Sequence, residues 1–193
     1  MTPLRISMEQ LIALHSFFAE AASVGEACLT EITGRETEVE VLEVRCSPLG
    51  EFGDSGMRLS EDLVAGVMGR VEGAMPGSIN VVLEPEDALL WAQMGGSDDP
   101  LASFVELGRE LIAGIAVALT EVLEAPNEFR DARLVEEPEL AMLVKTHAPS
   151  DTLVFSTRLR IEVSDEILSA HSHFLVEPKY LARLLSALSA ASH

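Results

Sequence analysis

Glu106, Arg109 and Glu110 lie within one and a half turns of a stretch, Pro100 to Glu124, whose apolar residues recur at helical spacing. A carboxylate and a guanidinium three apart on a helix share a face. They can hold a charged partner, or form an exposed pair worth about 0.3 kcal/mol. Arg109 could also contact a phosphoryl oxygen. The other candidates for chemistry have plainer readings. His171 and His173 fall on one face of a strand pattern at metal-ligand spacing. Two ligands with no cysteine or carboxylate beside them in sequence make a poor site, so these are read as structural or surface histidines. His15 and Ser16 are adjacent on a helix and point apart, which rules out a nucleophile–base pair. Gly95-Gly96 lacks the Gly-Lys-Ser/Thr that completes a phosphate loop. Cys28 and Cys46 are too few for a disulfide scaffold and sit at apolar positions, as two buried thiols would. Nothing here calls for a metal or a cofactor.

The elements that position these residues come in two rounds. Residues 26–31, Glu-Ala-Cys-Leu-Thr-Glu, are echoed by residues 116–121, Ala-Val-Ala-Leu-Thr-Glu, 90 positions on. Val81-Val82-Leu83-Glu84-Pro85 is echoed by Phe174-Leu175-Val176-Glu177-Pro178, 93 positions on. Two echoes in one order at nearly one offset indicate a duplicated unit, with halves at about 7–96 and 100–192 of a single domain spanning 1–193. Ser7-Met8-Glu9-Gln10 fits a capping box. It opens a helix of about seven turns, roughly 40 Å, that Gly34 stops. Thr37–Cys46 alternates as a strand whose phase slips at Val41-Leu42, the mark of a bulge. Residues 47–58 read as a loop. Leu63–Glu72 and Ile79–Leu83 read as a hairpin, and Pro85 opens a short helix. Asp99 and Pro100 then cap the second long helix. Strands follow near Phe129–Val135, Leu153–Val163 and Ile167–Val176, with an irregular segment at 138–150 and a last helix from Pro178 to Ala190. The prediction is an α+β fold: two long antiparallel helices on one face of a mainly antiparallel sheet. Trp91, Phe17 and Phe18 are assigned to the core, and Glu136, Glu137 and Glu139 to a solvated edge.

Composition narrows the partners. The chain has 193 residues and a formal net charge of −19, with 13 Lys and Arg against 32 Asp and Glu. Nucleic acid is excluded, because neutralising phosphates needs clustered cations. An anionic membrane surface is disfavoured for the same reason. The absence of a leader pattern and of any run near 20 apolar residues predicts a soluble cytoplasmic protein. Proteins with a basic patch remain, and a homodimer is left open.

The order long helix, strand, hairpin, short helix, taken twice, resembles the CheC/CheX/FliY family of bacterial chemotaxis phosphatases. Thr30-Glu31-Ile32-Thr33-Gly34-Arg35 before an alternating strand is similar to the end of the family's first helix. Val71-Glu72-Gly73-Ala74-Met75-Pro76-Gly77-Ser78 resembles its glycine-marked hairpin. Glu106-Leu107-Gly108-Arg109 followed by Ala118-Leu119-Thr120 resembles its second signature helix. The resemblance spans nearly the whole chain. It implies a CheC-like fold and a phosphorylated CheY-like response regulator, or another signalling protein, as partner in two-component signalling. In the family each long helix can carry Glu-x-x-Asn. The Glu holds a basic residue of the regulator, and the Asn orients the water that attacks the aspartyl phosphate, which is catalysis by positioning.

Both Asn positions are replaced here. Glu106 is kept, but Arg109 stands at the Asn position. The 90-residue offset puts the first-helix equivalents at Ser16 and Ala19. An Asn carbonyl accepts a proton from water, whereas Arg has five donors and no acceptor. The resemblance therefore implies a degenerate active site: Glu106, Arg109 and Glu110 binding the regulator with little or no hydrolysis. A working phosphatase would need another water-positioning group, Glu106 or Glu110. A third reading is an interaction module like the middle domain of the flagellar switch protein FliM. A full-length FliM would add a terminal peptide and a switch domain, for which this chain leaves no room.

Overall fold

The computed structural model describes residues 6–51, 65–95, 97–136, 149 and 151–191. Helix α1 spans Met8–Thr33. The Ser7 hydroxyl accepts the Gln10 N–H at 3.2 Å, and the Gln10 side chain accepts the Ser7 N–H at 2.9 Å, so the capping box forms. The helix ends on Gly34, left-handed at φ 64°, whose N–H reaches the Thr30 carbonyl at 3.0 Å. Strand β1 is Thr37–Pro48, β2 is Ala65–Gly73 and β3 is Gly77–Leu83. Helix α2 is Pro85–Met94, with Pro at its first turn. Helix α3 is Pro100–Leu123, and the Asp99 carboxylate accepts from the Leu101 and Ala102 N–H groups at 2.9 and 3.3 Å. Strands β4 (Asn127–Glu136), β5 (Leu153–Val163) and β6 (Glu166–Val176) follow, then α4 (Pro178–Ala191).

The six strands form one sheet in the order β1-β5-β6-β3-β2-β4, with every neighbouring pair antiparallel. Exchanging the two halves, β1 for β4, β2 for β5 and β3 for β6, reverses this order onto itself. The duplication is thus a pseudo-two-fold, and each half gives its first strand to the other half's hairpin. The axis passes between β3 and β6, where Asn80 pairs with His173. Those positions are 93 apart, the offset of the second sequence echo. The helices keep the other offset: the left-handed caps Gly34 (φ 64°) and Glu124 (φ 47°) are 90 apart.

The bulge expected at Val41-Leu42 is present, as a register shift between Val41 and Glu43. Several boundaries differ from expectation. β1 runs on through Ser47 and Pro48, which pair across to β5, and residues 49–51 are helical rather than loop. β4 begins at Asn127, because Thr120 holds the Asn127 backbone at both N–H and carbonyl. Residues 52–64, Glu137, Glu139 and, apart from Pro149, the irregular segment at 138–150 lie outside the described residues.

Both long helices lie on one face of the sheet. Leu14, Phe17 and Leu29 of α1, and Phe104, Leu107 and Leu119 of α3, share a core with Ile79, Val81, Phe155, Ile161 and Phe174 of the strands. Phe17, Phe18 and Trp91 are core residues, as the sequence predicts. The helices run antiparallel and cross through glycine. A Cβ at Gly114 would stand 2.2 Å from the Ala21 carbonyl oxygen, and one at Gly25 would stand 2.9 Å from that of Leu111. Neither position can carry a side chain without moving a backbone. The cysteines correct the sequence reading. Both are only half-buried, Cys28 between the helices and Cys46 near the end of β1, and burial pushes the Cys46 thiol up to about 12.

Candidate functional site

Helix α3 turns Phe104, Leu107, Gly108 and Leu111 inward, which brings Glu106 and Arg109 out on its opposite face. Two contacts fix that orientation. A Cβ on Gly108 would meet the Val67 side chain at 2.5 Å, so α3 sits directly on β2 there. From the other side the buried Trp91 indole of α2 donates to the Phe104 carbonyl at 3.3 Å. Glu106 and Arg109 line one shallow depression with Asp99, Leu101 and Ala132.

The charges within it differ from the sequence expectation. Arg109 pairs with Glu110, its Nε–H donating at 2.8 Å with a second, shorter contact from Nη2, and not with Glu106. Adjacent helical side chains leave about 100° apart, but the long guanidinium stem bends across that gap. Glu106 is exposed and has no side-chain partner among the described residues. Glu110 is half-buried toward α1. It faces Cys28, whose thiol is raised first by burial, then by the charges of Glu110 and Glu31 and a hydrogen bond to Glu110. That thiol is held neutral, which argues against nucleophilic chemistry at Cys28.

The equivalent surface of α1 has no such constellation. Ser16 is exposed and Ala19 is half-buried. His15, beside Ser16, is tied instead to the Val41 carbonyl of β1 at 3.0 Å from Nε2. The half-buried Glu26 of α1 accepts the Val39 N–H at 2.9 Å and so joins α1 to β1. The helix pair is acidic. α1 carries Glu9, Glu20, Glu26 and Glu31 with no Lys or Arg, and Arg109 is the one cation of α3.

The histidines separate into two environments. His171 is exposed on β6, whereas His173 is buried and its Nδ1 meets the Asn80 side-chain oxygen at 2.9 Å. Burial holds the His173 imidazole down at about 4, with His171 adding to the effect. The pairing of His173 with Asn80 was not read from the sequence. Their separation of 93 residues hides the contact from local spacing. Among the described residues no three His, Cys, Asp or Glu side chains come together as a metal site, and no helix is long and apolar enough to cross a membrane.

No protein-family model matches the sequence, and no curated protein matches it. Solved structures match its shape. FliY of Thermotoga maritima aligns with a TM-score of 0.75 at 12% identity, over 97% of this chain and 99% of that one. The FliM middle domain of H. pylori aligns at 0.65 and 16% identity, over 94% and 99%. A chain of the CheX–CheY–BeF3–Mg complex of Borrelia burgdorferi aligns at 0.50 and 15% identity, over 86% and 99%. The chain therefore has the CheC/CheX/FliY-like fold, as the resemblance in its sequence implies.

Proposed function

We propose that this chain is a CheC-like chemotaxis or signalling protein that binds a phosphorylated response regulator on the outer face of α3, with little or no phosphatase activity. The observation that carries the reading is the Glu106–Arg109 surface. A carboxylate with no side-chain partner among the described residues can meet a partner's lysine, while the neighbouring position, where an amide would orient water, holds a guanidinium engaged with Glu110. A guanidinium can contact a phosphoryl oxygen but has no acceptor for the attacking water. Glu110 is a weak candidate base, since Arg109 and Cys28 already occupy it. The acidity of both long helices suits a receiver whose docking face is basic. The CheX–CheY pairing in the Borrelia structure is a precedent on the same fold.

The experiment measures decay of a phosphorylated receiver with and without the protein, and binding to the same receiver with and without beryllofluoride. The reading expects beryllofluoride-dependent binding with decay at the spontaneous rate. Accelerated decay would establish a phosphatase. A second reading, a structural module like the FliM middle domain, draws on the higher shape likeness to that domain, 0.65 against 0.50 for the CheX–CheY complex chain. It expects partner binding that ignores the receiver's phosphorylation.

A further inference from the structure

A second concavity, of about 590 Å3, lies between the N-terminal half of α1 and the C-terminal half of α4, with Val122 of α3 at one end. It is the pseudo-symmetric counterpart of the Glu106 surface. Its lining residues Glu9, Ile12 and Ser16 stand 90 positions before Asp99, Ala102 and Glu106, which line the other depression. The two have diverged for a packing reason. In the first half Gly95, at the end of α2, abuts Ser103, so closely that a Cβ on Gly95 would lie 2.5 Å from the Ser103 Cβ. The offsets of 93 and 90 make Leu188 and Ala13 the matching pair, and both line the groove. A buried leucine thus stands where the other half has glycine.

Apolar residues of α1, α3 and α4 share the groove with Gln10 and three serines, and two glutamates flank it. Phe17 and Leu188 are buried beneath it, Val122 and Leu185 are half-buried along it, and Ile12 stands 61% exposed beside it, one turn after the exposed Met8. Its charged lining residues are Glu9 and Glu20, and no Lys or Arg lines it among the described residues. The last turn of α4, with no basic residue of its own, ends at this groove. The N-terminus of α1 opens here too, but Ser7 and Gln10 cap each other's donors. An anionic occupant is thereby disfavoured.

We propose that this groove docks a helical segment of a partner protein, with an apolar stripe seated on Ile12, Val122 and Leu185 and Lys or Arg residues meeting Glu9 and Glu20. Helix-in-groove recognition needs these two features together, an apolar channel and complementary flanks. The site is separate from the α3 surface, and its occupancy does not depend on receiver binding.

The probe is a synthetic amphipathic helix with Leu on one face and Lys on the other. Two controls accompany it, one with the same composition scrambled and one with Glu in place of every Lys. Fluorescence anisotropy at physiological salt should show the patterned peptide binding about tenfold more tightly than the scrambled one, and the Glu peptide not binding. Ile12→Asp should weaken the patterned peptide about tenfold, and so should Glu20→Lys, whereas Arg109→Asn should leave it unchanged. Ile12 is exposed enough for the variant to fold, which a thermal melt checks, and Glu20→Lys decides the matter if it does not. Equal binding of patterned and scrambled peptides would reduce the effect to attraction by the net charge and overturn the proposal. So would unchanged affinity in both groove variants, or a self-associating wild type that Ile12→Asp disperses, which would make a second copy the occupant.

Discussion

Gly114→Ala should destabilise the protein by about 2 kcal/mol, although alanine is the better helix former. The new Cβ would lie 2.2 Å from the Ala21 carbonyl oxygen, 3.2 Å from the Ala21 carbonyl carbon and 3.3 Å from the Gly25 nitrogen. All three are backbone atoms of α1, so no side-chain rotation relieves the overlap. The helices must part by about 1 Å, which strips van der Waals contact from the core around Phe18, Leu111 and Ile115. Overpacking of this kind costs about 3 kcal/mol, at the upper end of its usual range because a backbone has to move. The gain in helix propensity returns about 1 kcal/mol. Urea unfolding reads the difference as a lowered midpoint at unchanged slope. Gly25→Ala, whose Cβ would stand 2.9 Å from the Leu111 oxygen, should show the same sign at smaller size. A Gly114→Ala protein as stable as the wild type would refute the close crossing, and with it the orientation that places Glu106 and Arg109 outward.

Arg109→Asn should raise phosphate release from a phosphorylated receiver above the spontaneous rate, because it restores an amide three residues after Glu106. Its stability should change by less than about 1 kcal/mol, since the Arg109–Glu110 pair it removes is partly exposed. Glu124→Gly should stabilise the fold by about 1 kcal/mol in thermal or urea unfolding, because Glu124 holds a left-handed cap where its counterpart is Gly34. Stability should also fall by about 2 kcal/mol more between pH 7 and pH 5 in the wild type than in His173→Gln. The imidazole, near 4 when folded, takes up its proton near 6.5 when unfolded, so the unfolded state gains protons first as pH falls. Parallel pH slopes for the two proteins would remove His173 from that balance.

The parts of the fold written locally were legible in the sequence. Ser7 and Gln10, Asp99 and Pro100, and Gly34 set helix ends through contacts within a few residues, and each acts as its residue type requires. The repeat was legible too, because duplicated packing leaves duplicated apolar patterns. The exchange of first strands between halves was not, since the residues that pair β1 with β5, such as Thr37 and Val163, are far apart in the chain. The buried Asn80–His173 pair shows the same limit, with partners 93 residues apart. At the candidate site, the sequence places Glu106, Arg109 and Glu110 on one helix but does not give their pairing. Spacing rules assign Arg109 to Glu106, whereas the half-buried position of Glu110 beside Cys28 brings its carboxylate within reach of the guanidinium.

Glu106 as the docking carboxylate is the central assignment. Calorimetric titration of a beryllofluoride-loaded receiver into wild type, Glu106→Lys and Ser16→Lys tests it. Charge reversal at Glu106 turns attraction for a receiver lysine into repulsion and should weaken binding about tenfold or more, with Ser16→Lys close to wild type. The global field cannot produce that contrast, because both variants add positive charge to a chain of net −19 and salt screens such charges beyond about 8 Å. Equal affinity for wild type and Glu106→Lys would contradict the assignment of α3 as the docking face.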